Sequence, residues 1–163
     1  MRRRPPSPRP GAVACLLVLL VASAGCSNAV TVDSPAVSGA QAHACSALVR
    51  DLPKGVADQQ RRHVDAGDGY AAAWGDPAIE LRCGVPRPAG FDKFSACQRV
   101  NGVDWFVPES QQTGKPTDIT MTTVGRVPRV EVRLPEDYWP PANAMADLAQ
   151  TMKAHLREEK PCL

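Results

Sequence analysis

The sequence predicts an α+β fold: a mostly antiparallel sheet of four or five strands, with a helix at each end of the domain and both helices packed on one face. Three observations carry this. Apolar residues recur at helical spacing at both ends, at Cys45, Leu48, Val49 and Leu52 and again at Met145, Leu148, Met152 and Leu156. Four segments between them alternate apolar with polar. Aromatic residues make up only 5% of the chain, so the core must be built mostly from aliphatic residues and alanine.

The elements follow in order. Pro53 ends the first helix, and ordered structure is expected to begin near Ala44. Ala71 to Trp74 reads as a short strand or turn. Ile79, Leu81, Cys83 and Val85 alternate with Glu80, Arg82 and Gly84, a half-buried strand. Val103, Trp105 and Val107 form the next, and Ile119, Met121 and Thr123 another. Val130, Val132 and Leu134 alternate most cleanly, and Gly125 to Pro128 reads as the hairpin turn before them. Trp139 to Asn143 opens the last helix, whose polar face carries Asp147, Gln150, Lys153 and Arg157; Pro161 is expected to end it.

What precedes the domain reads as an address. Arg2, Arg3, Arg4 and Arg9 precede an unbroken apolar run from Ala12 to Ala22. A helix of that length spans about 16 Å, against a bilayer core of about 30 Å. The run therefore suits a secretory signal, residues 1–25. Ala24, Gly25 and Cys26 resemble the end of a bacterial lipoprotein signal, in which the cysteine thiol takes a diacylglyceryl group; Ser23 departs from that pattern. Residues 26–43, small and polar, read as a flexible stalk, and residues 44–163 as a single globular domain. The expected location is the outer face of the cytoplasmic membrane, through a lipid on Cys26. Losing the signal lowers Lys plus Arg from 19 to 15 against 17 Asp plus Glu, a net charge of −2. No basic patch points to nucleic acid.

Cys15 and Cys26 belong to the signal and anchor, which leaves Cys45, Cys83, Cys97 and Cys162, an even number in an exported chain and hence a disulfide framework. Parity favours Cys83–Cys97: Cys83 faces inward, and Cys97 shares that face if the strand of Val103 begins early enough. That loop contributes about 3 kcal/mol and leaves Cys45–Cys162. Zinc is the alternative, but no pair has CxxC spacing and an oxidising compartment disfavours thiolates. No cofactor or metal is expected.

Catalytic signatures are missing from the sequence: no G-x-S-x-G, P-loop, GxGxxG, HExxH or S-x-x-K. His43 in the stalk, His63 in a loop and His155 on the last helix's polar side are expected to be solvated. A non-enzyme is the expectation, with a hydrolase as the outside reading.

Two segments are denser in information. WGDPAI and LRCGVP (Trp74 to Ile79, Leu81 to Pro86) and VNGVDW (Val100 to Trp105) resemble the actinobacterial lipoproteins and exported proteins of domain of unknown function 3515. The likeness extends to Cys45-Ser46-Ala47-Leu48, Leu52-Pro53 and Thr123-Val124-Gly125-Arg126. It implies a cell-envelope location and carries no catalytic residue. One reading of these motifs is structural: Gly75-Asp76-Pro77 and Asn101-Gly102 are turn chemistry, and Trp74 and Trp105 fill the core. The other is a recognition patch of Trp74, Asp76, Arg82, Asn101, Asp104 and Trp105, with Arg82 and Asp104 on outward faces that can adjoin and pair. The expected function is a non-catalytic module that binds or helps assemble an envelope protein partner. The alternative is a binder of glycan, lipid or peptide, with a groove lined by Trp74 and Trp105.

Overall fold

The computed structural model describes residues 29–162. The expected signal peptide and lipid site, residues 1–26, lie outside the described residues. The chain runs β1 (Val30–Thr31), α1 (Gly39–Asp51), β2 (Gly55–Val56), β3 (Gln59–Arg62), β4 (Val64–Asp65), β5 (Tyr70–Trp74), β6 (Ile79–Cys83), β7 (Gln98–Val100), β8 (Val103–Phe106), β9 (Ile119–Val124), β10 (Arg126–Val127), β11 (Val130–Leu134), α2 (Ala142–His155) and β12 (Arg157–Glu158). The fold is α+β, with two helices and an antiparallel sheet larger than expected: eight strands in the order β2-β3-β5-β6-β11-β9-β8-β7. Among the described residues no helix is long and apolar enough to cross a membrane.

The period-two segments form the sheet's interior. Ala72, Leu81, Val132 and Met121 stand in one cross-strand row and, with Trp74, Ile79, Trp105 and Leu134, face a core closed by both helices. From α2 come Ala144, Met145, Leu148, Ala149 and Met152, and from α1 Cys45 and Leu48. This is the helical spacing read from the sequence. Asn101 and Gly102, both at positive φ, form a two-residue hairpin turn joining β7 to β8. Ala57 and Asp58, also at positive φ, do the same for β2 and β3.

The opposite face carries charge in register. Arg82 stands directly across from Glu131 and donates to it, and Arg99 stands across from Asp104. Residues 29–38 cross part of this face. Val32 is buried, Val30 N–H donates to His63 O at 2.9 Å, Arg82 donates to Asp33 O at 3.0 Å, and Ser34 Oγ donates to Tyr70 O at 3.0 Å.

Four expectations are corrected. Residues 29–38 are docked, and α1 begins at Gly39, so residues 29–43 are no stalk. The disulfides are Cys45–Cys83 and Cys97–Cys162, with Cα separations of 5.7 and 6.3 Å. Cys83 does face inward, but β11, β9 and β8 stand between β6 and β7, so it meets α1 and not Cys97. The last helix ends at His155, before Pro161, because the chain turns into β12 beside β10. His155 is not solvated: it lies on Asp51 of α1, Nε2 to Oδ2 3.0 Å, with its side chain 19% exposed. His43, also expected in the stalk, is on the exposed side of α1, and His63 is exposed between β3 and β4.

Candidate functional site

The six residues of the expected recognition patch do not converge. Trp74 and Trp105 are fully buried. Trp74 Nε1 donates to Pro53 O at 3.0 Å, and the Arg61 guanidinium lies 5.7 Å from its ring. Asp104 and Trp105 are consecutive in a strand, so one faces each side of the sheet. Asp76 lies in the β5–β6 turn, 3.6 Å from Arg62, at the opposite end of the sheet from Asn101 in the β7–β8 turn. Arg82 and Asp104 have separate partners, Glu131 and Arg99. A groove lined by Trp74 and Trp105 does not exist.

Each motif instead makes a joint. In Trp74-Gly75-Asp76-Pro77, a Cβ on Gly75 would stand 2.7 Å from Tyr138 Oη, which donates to Pro77 O at 2.8 Å. In Leu81-Arg82-Cys83-Gly84, Cys83 is disulfide-bonded, and a Cβ on Gly84 would collide with the Val37 side chain. In Val100 to Trp105, the Asp104 carboxylate accepts from Arg99 at 2.6 and 2.7 Å and from Cys162 N–H at 3.0 Å. The paired guanidinium, helped by that N–H against the cost of burial, holds Asp104 below the usual carboxylate range.

Thr123 to Arg126 fastens the end of the chain. Thr123 Oγ1 accepts from Val130 N–H at 2.9 Å. The Gly125 carbonyl accepts from Glu159 N–H at 2.8 Å. A Cβ on Gly125 would collide with Lys160 O, and its φ is +70°, so only glycine fits this approach. Arg126, 8% exposed at its side chain, donates to Leu156 O at 3.1 Å, to Gly102 O at 3.2 Å and to Glu158 at 2.7 Å. Together with Cys97–Cys162 these contacts lay residues 157–162 along the sheet's end.

That placement builds a cleft of about 350 Å³. Its walls are the loop of Arg87 to Ser95, the turn at Gly125, Arg129, and Glu159 to Cys162. Phe91 stands edge-on against Phe106 at 5.1 Å, with the Arg87 guanidinium 4.9 Å from its ring and Arg87 Nε donating to its carbonyl at 3.1 Å. Asp92 Oδ1 accepts from Phe94 N–H at 2.8 Å and from Ser95 Oγ at 3.1 Å. The first of these donors does most to hold Asp92 below the ordinary carboxylate range. None of the cleft's walls figured in the sequence reading as a binding residue. The signal available was the density of cations in Arg87, Lys93, Arg129 and Lys160. Among the described residues no group of three or more His, Cys, Asp or Glu side chains is placed to hold a metal.

The model of the family described as "Protein of unknown function (DUF3515)" matches residues 11–161, and the chain belongs to that family. No curated protein and no solved structure matches the chain significantly.

Proposed function

We propose that this member of the family is a non-catalytic binding module of the cell envelope, exported by residues 1–25 and anchored by a lipid on Cys26 at the outer face of the cytoplasmic membrane. The observation that carries the reading is the docking of residues 29–38 on the sheet. Among the described residues the first backbone bond is made by Val30, four residues after Cys26. Four extended residues reach at most about 14 Å. A lipid on Cys26 therefore holds the domain close against the bilayer instead of on a long tether. Two disulfides that join all four described cysteines agree with an oxidising compartment. Two or more acyl chains give stable anchoring where one is marginal.

The main reading is a module that holds or stabilises an envelope protein; the second is a ligand binder, and the cleft favours it. Photo-cross-linking in intact cells separates them, with the reactive side chain at Lys93 in the cleft or at Gln150 on the exposed side of α2. One dominant envelope protein, captured at one of these sites and lost on Cys26→Ala, supports partner binding. Capture of lipid or glycan from Lys93 alone supports ligand binding. A chain recovered unlipidated from the cytoplasm would end the envelope part of both readings.

A further inference from the structure

We propose that the cleft between the Arg87 to Ser95 loop and residues 159–162 binds the phosphate group of a phosphate ester. The inference deepens the ligand reading above, and it depends on the anchor only for where the phosphate comes from.

The charge of the cleft carries it. Four cationic side chains line it, Arg87, Lys93, Arg129 and Lys160, against two carboxylates, Asp92 and Glu159. Both carboxylates already have partners. Asp92 is turned onto the N–H of Phe94 and the Ser95 hydroxyl, and Glu159 accepts from Arg157 at 2.8 Å. Among the described residues no carboxylate lies within 4.0 Å of the charged groups of Arg87, Lys93, Arg129 or Lys160, and Asp92 acts on Arg87 only through the field between them. Arg87 is oriented by its own loop, through Nε and the Phe91 ring, and its remaining N–H groups are uncommitted. Two guanidinium forks and two ammonium groups, brought from separate chain segments, suit an anion with several oxygens better than a single carboxylate. Phe91, Val124 and Pro161 add an apolar wall, which suits the carbon side of an ester more than inorganic phosphate.

The cleft also opens at the end of the sheet where the N-terminal segment is docked. Ser34 bonds the carbonyl of Tyr70. Tyr70, Cys83 and Val130 stand in one cross-strand row, so about 10 Å separates Tyr70 from Val130, the neighbour of Arg129. A lipid headgroup at the membrane surface is one source of a phosphate ester. The same chemistry is available from a soluble phosphate ester.

The test is hydrogen exchange on the full chain isolated from its host's envelope. It is measured with nanodiscs of phosphatidylcholine, with nanodiscs of equal parts phosphatidylcholine and phosphatidylglycerol, and with free glycerol phosphate. At a probe concentration ten times Kd, opening of the amides in residues 91–96 and 159–160 should slow about tenfold. Slowing by phosphatidylglycerol alone assigns the phosphate to lipid; slowing by glycerol phosphate assigns it to a soluble ester; either supports the proposal. The Arg129→Ala, Lys160→Ala double variant should abolish the slowing at unchanged Tm, and Arg129→Lys should retain most of it. Lys93→Glu, on an exposed loop, provides a second variant with the same expected loss. No slowing by any probe, or slowing that survives in both variants, overturns the proposal. The mass of the N-terminal peptide reads lipidation separately, so a cleft that responds in an unlipidated chain refutes the anchor and leaves the cleft standing.

Discussion

Arg126 should stabilise the domain through two carbonyls and hardly at all through its ion pair. The guanidinium is nearly sealed, while the Glu158 side chain it meets is 53% exposed. An ion pair with one partner that open contributes about 0–1 kcal/mol. The bonds to Leu156 O and Gly102 O differ in kind, because a charged donor to a carbonyl is worth about 1.5–3 kcal/mol and its loss strands the acceptor. Arg126→Ala should therefore cost about 4 kcal/mol. With a urea slope of about 2 kcal/mol per molar, the midpoint falls by about 2 M. Glu158→Gln should move it by less than about 0.5 M. Arg126→Lys should fall between, since one ammonium cannot fork to both carbonyls. Added salt should leave the gap between wild type and Arg126→Ala unchanged, because the acceptors are neutral. A Glu158→Gln variant as unstable as Arg126→Ala, or a gap that closes with salt, would refute the reasoning.

Three further outcomes are expected. Gly125→Ala adds a clash with Lys160 O to the backbone strain of a positive φ, whereas Gly67, at φ +54° with nothing within 4 Å of its Cβ position, feels the strain alone; Gly67→Ala should cost about 1–2 kcal/mol and Gly125→Ala about 1 kcal/mol more through the lost Glu159 bond, both read by urea unfolding. Removing either disulfide as an Ala pair should cost about 4 kcal/mol from loop entropy, given sequence separations of 38 and 65. The Cys45–Cys83 loss should nevertheless be the larger in calorimetry, because both of its residues are fully buried and their removal leaves cavities; a larger loss from Cys97–Cys162 would put the loop term first. Asp104 has its pKa depressed in the folded state, so it stabilises above the unfolded carboxylate value of about 4 and that stability is lost as pH falls through the lower folded value; Asp104→Asn should flatten the acid side of the stability–pH curve, and an unchanged slope below about pH 4 would contradict the pairing with Arg99.

The interior of the fold was legible because burial on one face imposes a period that sequence displays. β6, β11 and α2 read directly from Ile79 to Cys83, Val130 to Leu134 and Met145 to Met152. The edges did not. β3 is Gln59-Gln60-Arg61-Arg62 and β7 is Gln98-Arg99-Val100, polar as strands near an edge tend to be, and the turn Ala57-Asp58 takes positive φ without a glycine to announce it. The first turns of α1, Gly39 to Ala44, lack an apolar stripe, and their small polar composition reads as linker. The disulfides failed for a different reason. The parity of Cys83 was right, but β11 pairs between β6 and β9, and strand order is a long-range property that alternation does not encode.

The patch failed because an aromatic beside a polar residue looks like a binding surface in one dimension. In a strand, Asp104 and Trp105 belong to opposite sides of a sheet, and each serves a joint on its own side. This changes how loss-of-function data on this domain must be read. A substitution at Trp74, Arg82 or Trp105 removes a buried ring or a half-buried ion pair, so failure to capture a partner there reports unfolding as readily as recognition. Arg129 and Lys160 have no side-chain bond to lose within the protein, Lys93 has only its contact with the exposed Phe94 ring at 4.8 Å, and truncating them should leave stability nearly unchanged. Residues with no part in holding the fold together can report binding separately from folding, and in this domain those residues line the cleft.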